Sequence, residues 1–246
     1  MANPVLTSQF GTAEKPNSGS APVIDTGDYM TMSSVLKQTG LLFMLLIAAA
    51  AWGWTQVEVG TLGPVFWGAL IASIVLMIVT IVKKEWVRFT APLYALAQGV
   101  LVGAISKVYS DLWEGIVIQA VLATFGVFLA MLFLYANRIV KVTQKLRSVI
   151  IIATAGVVLF YLASIVLSLF GADMPFIWDG GPLSILISAG ICIVAALNLL
   201  LDFDAIERGI QNHAPSWFSW FAAFGLMVTL VWLYLEILRL LALTRD

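Results

Sequence analysis

Seven runs of about 20 mainly apolar residues follow one another along this chain with only short polar connections, and that pattern restricts what it can fold into. They cover residues 35–54, 62–82, 91–108, 112–135, 149–170, 183–201 and 217–243. A helix rising 1.5 Å per residue needs about 20 residues to cross the roughly 30 Å of hydrocarbon in a bilayer. The composition agrees, with 61% hydrophobic and 11% charged residues and a mean hydropathy of +0.99. The expected fold is all-α, a polytopic membrane protein with a bundle of seven transmembrane helices over residues 34–246. Residues 1–33 are rich in Gly, Pro, Ser, Thr and Asn, and they lack the charged-then-apolar pattern of a signal peptide. They are expected to form a disordered cytoplasmic tail, with Thr31 and Ser33 as candidate caps for the first helix.

Proline and tryptophan mark the expected helix ends. Pro64, Pro92, Pro175, Pro182 and Pro215 fall at or beside them, where a missing N–H costs least. Trp52, Trp54, Trp86, Trp113, Trp178 and Trp217 are placed as interfacial anchors. Orientation follows from the basic residues. With the N-terminus inside, ten of the 13 Lys and Arg residues lie on the cytoplasmic side, and Lys107, Arg239 and Arg245 lie outside. Seven crossings then put the C-terminus outside, against the preference of its two arginines.

Small residues predict where helices approach closely. Gly99 and Gly103 form a GxxxG in the third run, and Ala69 with Ser73 forms a similar pair in the second. The seventh run carries Trp217, Phe218, Trp220, Phe221, Phe224, Trp232 and Tyr234 on every side. A helix apolar all round is surrounded by other helices or lipid, so the last helix is expected at the centre.

Function is sought where charge enters apolar surroundings. In residues 195–208, AALNLLLDFDAIER, an apolar helix runs directly into Asp202, Asp204 and Glu207. Each charge at mid-bilayer costs roughly 2.5 to 3.5 kcal/mol on insertion scales, so such groups sit at helix ends, in aqueous cavities or at working sites. Two readings stand: a polar helix end among the headgroups, or a site. At about 100° per residue, Asp204 and Glu207 share a face while Asp202 points nearly opposite, beneath Asn198. Asp204 with Glu207, or Asn198 with Asp202, could offer oxygen ligands to a hard cation such as calcium. In the last run Glu236 precedes Arg239 at the i,i+3 spacing of an ion pair, which makes them a candidate outer polar site. Thr229 lies seven residues before Glu236 on nearly the same side.

Several activities fail on inventory. The single histidine, His213, lies in a loop, which excludes His-pair zinc, bis-histidine haem and a Ser-His dyad within one chain. The last run has no lysine to anchor a retinal Schiff base. The lone Cys192 permits no disulfide within the chain and reads as a packing residue. A net charge of −1 leaves no basic face for nucleic acid. No enzyme chemistry and no cofactor are expected.

The segments MTMSSVLKQTGLL, APLYALAQGVLVGAIS, LLLDFDAIERG and AAFGLMVTLVWLYLEILRLL together resemble the Bax inhibitor-1 family, the transmembrane Bax-inhibitor-motif proteins, in its bacterial branch. The resemblance implies a seven-helix fold with the last helix central and a pH-sensitive calcium leak through the bacterial plasma membrane. It also implies a switch in which an aspartate at the end of the sixth helix shares a proton with one in the seventh, held by a basic residue from the second. Asp204 fits the first position best, with Asp202 the near alternative, and Arg88, Lys84 or Lys83 would supply the latch. The second position departs from the pattern, because Thr229 stands where an aspartate is expected, and Gln98 stands where relatives often carry an acid. The alternative function is a non-conducting regulator that binds another membrane protein, such as a membrane protease.

Overall fold

The computed structural model describes residues 29–58, 62–170 and 181–245. Seven helices account for nearly all of them: α1 Met32–Glu58, α2 Leu62–Val82, α3 Val87–Leu112, α4 Ile116–Ala136, α5 Gln144–Leu169, α6 Pro182–Gln211 and α7 Trp217–Leu243. A 3-10 turn at Lys84–Trp86 joins α2 to α3. Each of the seven helices is long and apolar enough to cross a membrane. The protein is therefore a helical, multi-pass membrane bundle in contact with the lipid bilayer. An odd number of crossings puts the start of α1 and the end of α7 on opposite faces, called here the near face and the far face.

The helices outrun their apolar stretches. α5 begins at Gln144 rather than 149, and α6 continues to Gln211 rather than 201. Hydropathy marks only the part of a helix that needs hydrocarbon, whereas the backbone ladder continues into the headgroup zone wherever an end is capped. Thr143 provides one such cap, its Oγ1 accepting the Leu146 amide at 3.2 Å. Pro182 opens α6 in its first turn, as its fixed φ favours. Pro92 differs from expectation, since α3 starts at Val87 and the proline lies inside the helix. Its missing N–H leaves the Arg88 carbonyl without the usual donor, close to the end where that loss matters least. Pro175 and Trp178 lie outside the described residues.

Residues 1–28, most of the expected tail, also lie outside the described residues. Within residues 29–33, Met30 packs against the bundle while its neighbours are exposed. Met30 is 3% exposed, its amide donates to the Ala214 carbonyl at 2.8 Å, and Tyr29 bridges to Pro215. Thr31 caps α1 reciprocally: its Oγ1 accepts the Ser34 amide and Ser34 Oγ accepts the Thr31 amide, both at 3.1 Å.

α7 is the central helix. It packs on α1, α3, α4 and α6, and 67% of its apolar stretch is buried against 11% for α2 and for α5. Polar bridges tie it to neighbours near its start and in its far half: Ser34 Oγ meets Ser219 Oγ at 2.8 Å, and Ser106 Oγ of α3 meets Tyr234 Oη at 2.6 Å. Such bonds average about 0.6 kcal/mol within membranes, so they orient the helix more than they hold it.

The closest helix pair is α1 with α3. A methyl group at Gly99 would meet the Leu46 carbonyl, and one at Gly103 would meet the backbone of Ala50. Gly53 of α1 stands in the same relation to Val100. Three glycines thus let two backbones touch directly, which is the contact predicted from the GxxxG of the third run. Dispersion and Cα–H···O contacts, about 0.5 to 1 kcal/mol each, are the attraction that this approach makes available.

Candidate functional site

The acidic end of α6 lies at the near face, where α4, α5 and α7 converge on it. Asp204 is 7% exposed. Arg147, in the first turn of α5, donates from Nη2 to its Oδ2, and Arg208, one turn further along α6, donates from Nε to its Oδ1 at 3.0 Å. The Arg147 side chain is 33% exposed and that of Arg208 47% exposed, so the second pair is screened more than the first. Glu207, on the same side of α6, accepts from Tyr135 Oη of α4 and from Gln211 Nε2 at 3.0 Å. The two carboxylates therefore clamp the near ends of α4 and α5 onto α6.

Asp202 faces the other way, onto α7. Its Oδ1 stands over Gly225, where an added methyl would come within 3.6 Å, and Thr229, one turn on, faces the carboxyl. The Thr229 hydroxyl itself donates back to the Gly225 carbonyl at 3.1 Å, as a threonine in a membrane helix commonly does. Asp202 Oδ2 is sealed from solvent and has no hydrogen-bond partner among the described residues. Asn198, one turn before Asp202, is turned toward α5, donating to Thr154 Oγ1 at 2.7 Å and to the Val194 carbonyl at 2.9 Å.

Two expectations are corrected here. Thr229 stands opposite Asp202, and Asp204 does not face α7, because two residues rotate a helix by about 200°. The basic partners of Asp204 come from α5 and α6, and the α2–α3 turn supplies none. Arg88 is exposed with its guanidinium 4.9 Å from the Phe89 ring, Lys83 lies over Trp86 at 4.7 Å, and Lys84 lies over Phe221 at 5.9 Å. Each of those cations rests by an aromatic ring, as interfacial anchors commonly do. Arg147 escaped sequence reasoning because α5 was expected to begin two residues after it. Tyr135 escaped because nothing local pairs it with a residue 72 positions away.

Of the oxygens proposed for calcium, those of Asp204 and Glu207 are otherwise engaged, while Asp202 Oδ2 has no partner among the described residues. Both oxygens of Asp204 accept from arginines and both of Glu207 from Tyr135 and Gln211. No group of three His, Cys, Asp or Glu residues that could hold a metal occurs among the described residues.

A second charged cluster occupies the far half of the bundle. Glu236 and Arg239 of α7 are 5% and 6% exposed, with Arg239 Nη1 3.9 Å from Glu236 Oε2. Tyr161 of α5 bridges them, donating to Glu236 Oε1 at 2.5 Å and accepting from Arg239 Nη1 at 2.7 Å. Trp232 Nε1 donates to the same Oε1 at 3.2 Å. The i,i+3 spacing pointed to this pair; the tyrosine that joins it comes from another helix. His213, at the α6–α7 turn, is exposed with a φ of 50° and stands edge-on to Tyr29 at 5.6 Å.

No curated protein and no solved structure matches. A family model described as Bax inhibitor 1 like matches residues 3–246, essentially the whole length, and the chain therefore belongs to the Bax inhibitor 1 like family.

Proposed function

We propose that this protein is a cation leak pathway of the bacterial plasma membrane, with calcium as the transported ion and the near ends of α5, α6 and α7 as its gate. One observation carries the reading: Asp202 lies against the central helix through Oδ1, while its Oδ2 is sealed from solvent and bonded to nothing among the described residues. An acid kept in that condition inside a membrane bundle is costly, and such acids mark the pathways of cations and protons. Asp204 supplies the restraint. Arg147 holds α5 to it, and loss of that contact frees the side of α6 that carries Asp202 toward α7.

The pH response is a property of the same face. Two carboxylates in contact cannot both ionise cheaply and so exchange a proton with the medium as a unit. Here a hydroxyl, Thr229, faces Asp202, and the response to pH is correspondingly shallow. With the N-terminus cytoplasmic, as the basic residues favour, the gate faces the cytoplasm. No catalytic role is proposed for any of these groups.

A second reading, a non-conducting regulator of another membrane protein, draws support from α2. That helix is held mainly by α3 and leaves Trp67, Ile71, Ile74 and Ile78 outward, a face that a partner helix or lipid could cover. Calcium uptake into liposomes containing only the purified protein separates the two. Uptake above that of empty liposomes, raised in Asp204→Asn, supports the leak; uptake equal to that of empty liposomes in both proteins refutes it and favours the regulator.

A further inference from the structure

The far-half cluster is not used by the near-face gate. At 1.5 Å per residue Glu236 lies about 10 Å short of the far end of α7, within the depth of the hydrocarbon. A buried ion pair recovers its desolvation cost only when the charges touch and the remaining acceptors are filled. This pair meets neither condition. The 3.9 Å between Arg239 Nη1 and Glu236 Oε2 exceeds a hydrogen bond, and Oε2 is sealed from solvent with no hydrogen-bond partner among the described residues. The contact is relayed through the Tyr161 hydroxyl, which accepts from the arginine and donates to the other carboxylate oxygen. On α6, Cys192 lies within electrostatic reach of both charges. Ser188, one turn before it, is 0% exposed with its hydroxyl unbonded among the described residues.

We propose that Glu236 is a binding site for a hard metal cation in the far half of the bundle, and that in this closed arrangement the guanidinium of Arg239 takes the cation's place. Carboxylate and hydroxyl oxygens are the ligand class such ions prefer. Arg239 then acts as a tethered plug, and Tyr161 is the positioning residue that keeps the plug beside the carboxylate without closing the contact. The inference rests on the cation-leak reading and deepens it by giving the pathway a far-side site.

Cys192 is the only cysteine in the chain and lies within electrostatic reach of the cluster, so its reactivity reports occupancy independently of transport. The full chain in detergent is treated with a small neutral methanethiosulfonate, with and without millimolar calcium. The proteins are wild type, Arg239→Gln, Tyr161→Phe and the double variant Arg239→Gln/Glu236→Gln. Calcium should slow modification of Cys192 in Arg239→Gln by roughly tenfold, the ratio that corresponds to about 1.4 kcal/mol. It should slow Tyr161→Phe less, and leave the wild type and the double variant unaffected. Tyr161→Phe keeps both charges, so it tests the site even where Arg239→Gln does not fold. Rates indifferent to calcium in the single variants that keep wild-type melting curves would overturn the proposal, as would equal protection of the double variant. Calcium uptake by liposomes separates this inference from the leak itself. Protection of Cys192 without uptake by any variant upholds the site and removes the leak; uptake without protection upholds the leak and removes the site.

Discussion

Asp202 and Asp204 are separated by a single residue in α6, yet Asp204 is held by Arg147 of α5 while Asp202 faces Thr229 of α7. The same helix end therefore carries a restrained acid and an unrestrained one on opposite sides. That division assigns holding to Asp204 and passage to Asp202, and the two substitutions to asparagine should separate them.

Asp204→Asn leaves Arg147 and Arg208 without their shared carboxylate. The cost should be about 1.5 kcal/mol, the low end for a charged hydrogen bond, because both arginines are partly exposed. Thermal melts in detergent should show that loss, and calcium uptake by liposomes should rise. Asp202→Asn removes an acid with an unbonded oxygen, so its melt should match the wild type or exceed it while uptake falls. Equal melts and equal uptake in the two variants would contradict the division.

Thr229→Asp places a second carboxylate against Asp202. Two such groups cannot both ionise cheaply, so uptake should acquire a steep dependence between about pH 6 and 8, where coupled carboxylates can titrate. The wild type should vary less over the same range. A steep wild-type curve that the substitution leaves unchanged would move the sensor elsewhere, with His213 or Glu207 the next groups to replace.

Gly103→Val drives a branched side chain into the backbone of Ala50. Neither helix can yield without losing the contacts at Gly99 and Gly53, so the variant should lose roughly 1 to 3 kcal/mol or more, as overpacked sites do. Gly126→Val in α4 is the control, since a methyl there meets nothing within 4 Å. Similar melting temperatures for the two would show that the α1–α3 approach is not rigid.

Orientation can be read with reporters. A cytoplasm-active reporter fused after Lys145, at the start of α5, should be active, and one fused after Glu114, between α3 and α4, should be silent. The reverse pattern would invert the protein in its membrane and place the acidic gate on the outer side.

The seven crossings, the central last helix and the glycine contact of α3 were all legible in the chain, because each depends on local composition repeated over many residues. An apolar run of 20 residues has few alternatives to spanning lipid, and Gly99 with Gly103 announces a close neighbour without naming it. The acids of α6 stood out for the same reason, as charges at the end of an apolar run, and helix geometry alone turned Asp202 and Asp204 apart. What each acid meets was decided only by the tertiary structure. Arg147 reaches Asp204 from 57 positions away, and Tyr161 joins Glu236 to Arg239 from 75 and 78. Those pairings depend on how far α5 extends past its apolar part and how it is rotated against α6 and α7. Side-chain packing sets that rotation over the whole interface, and no short stretch of sequence records it.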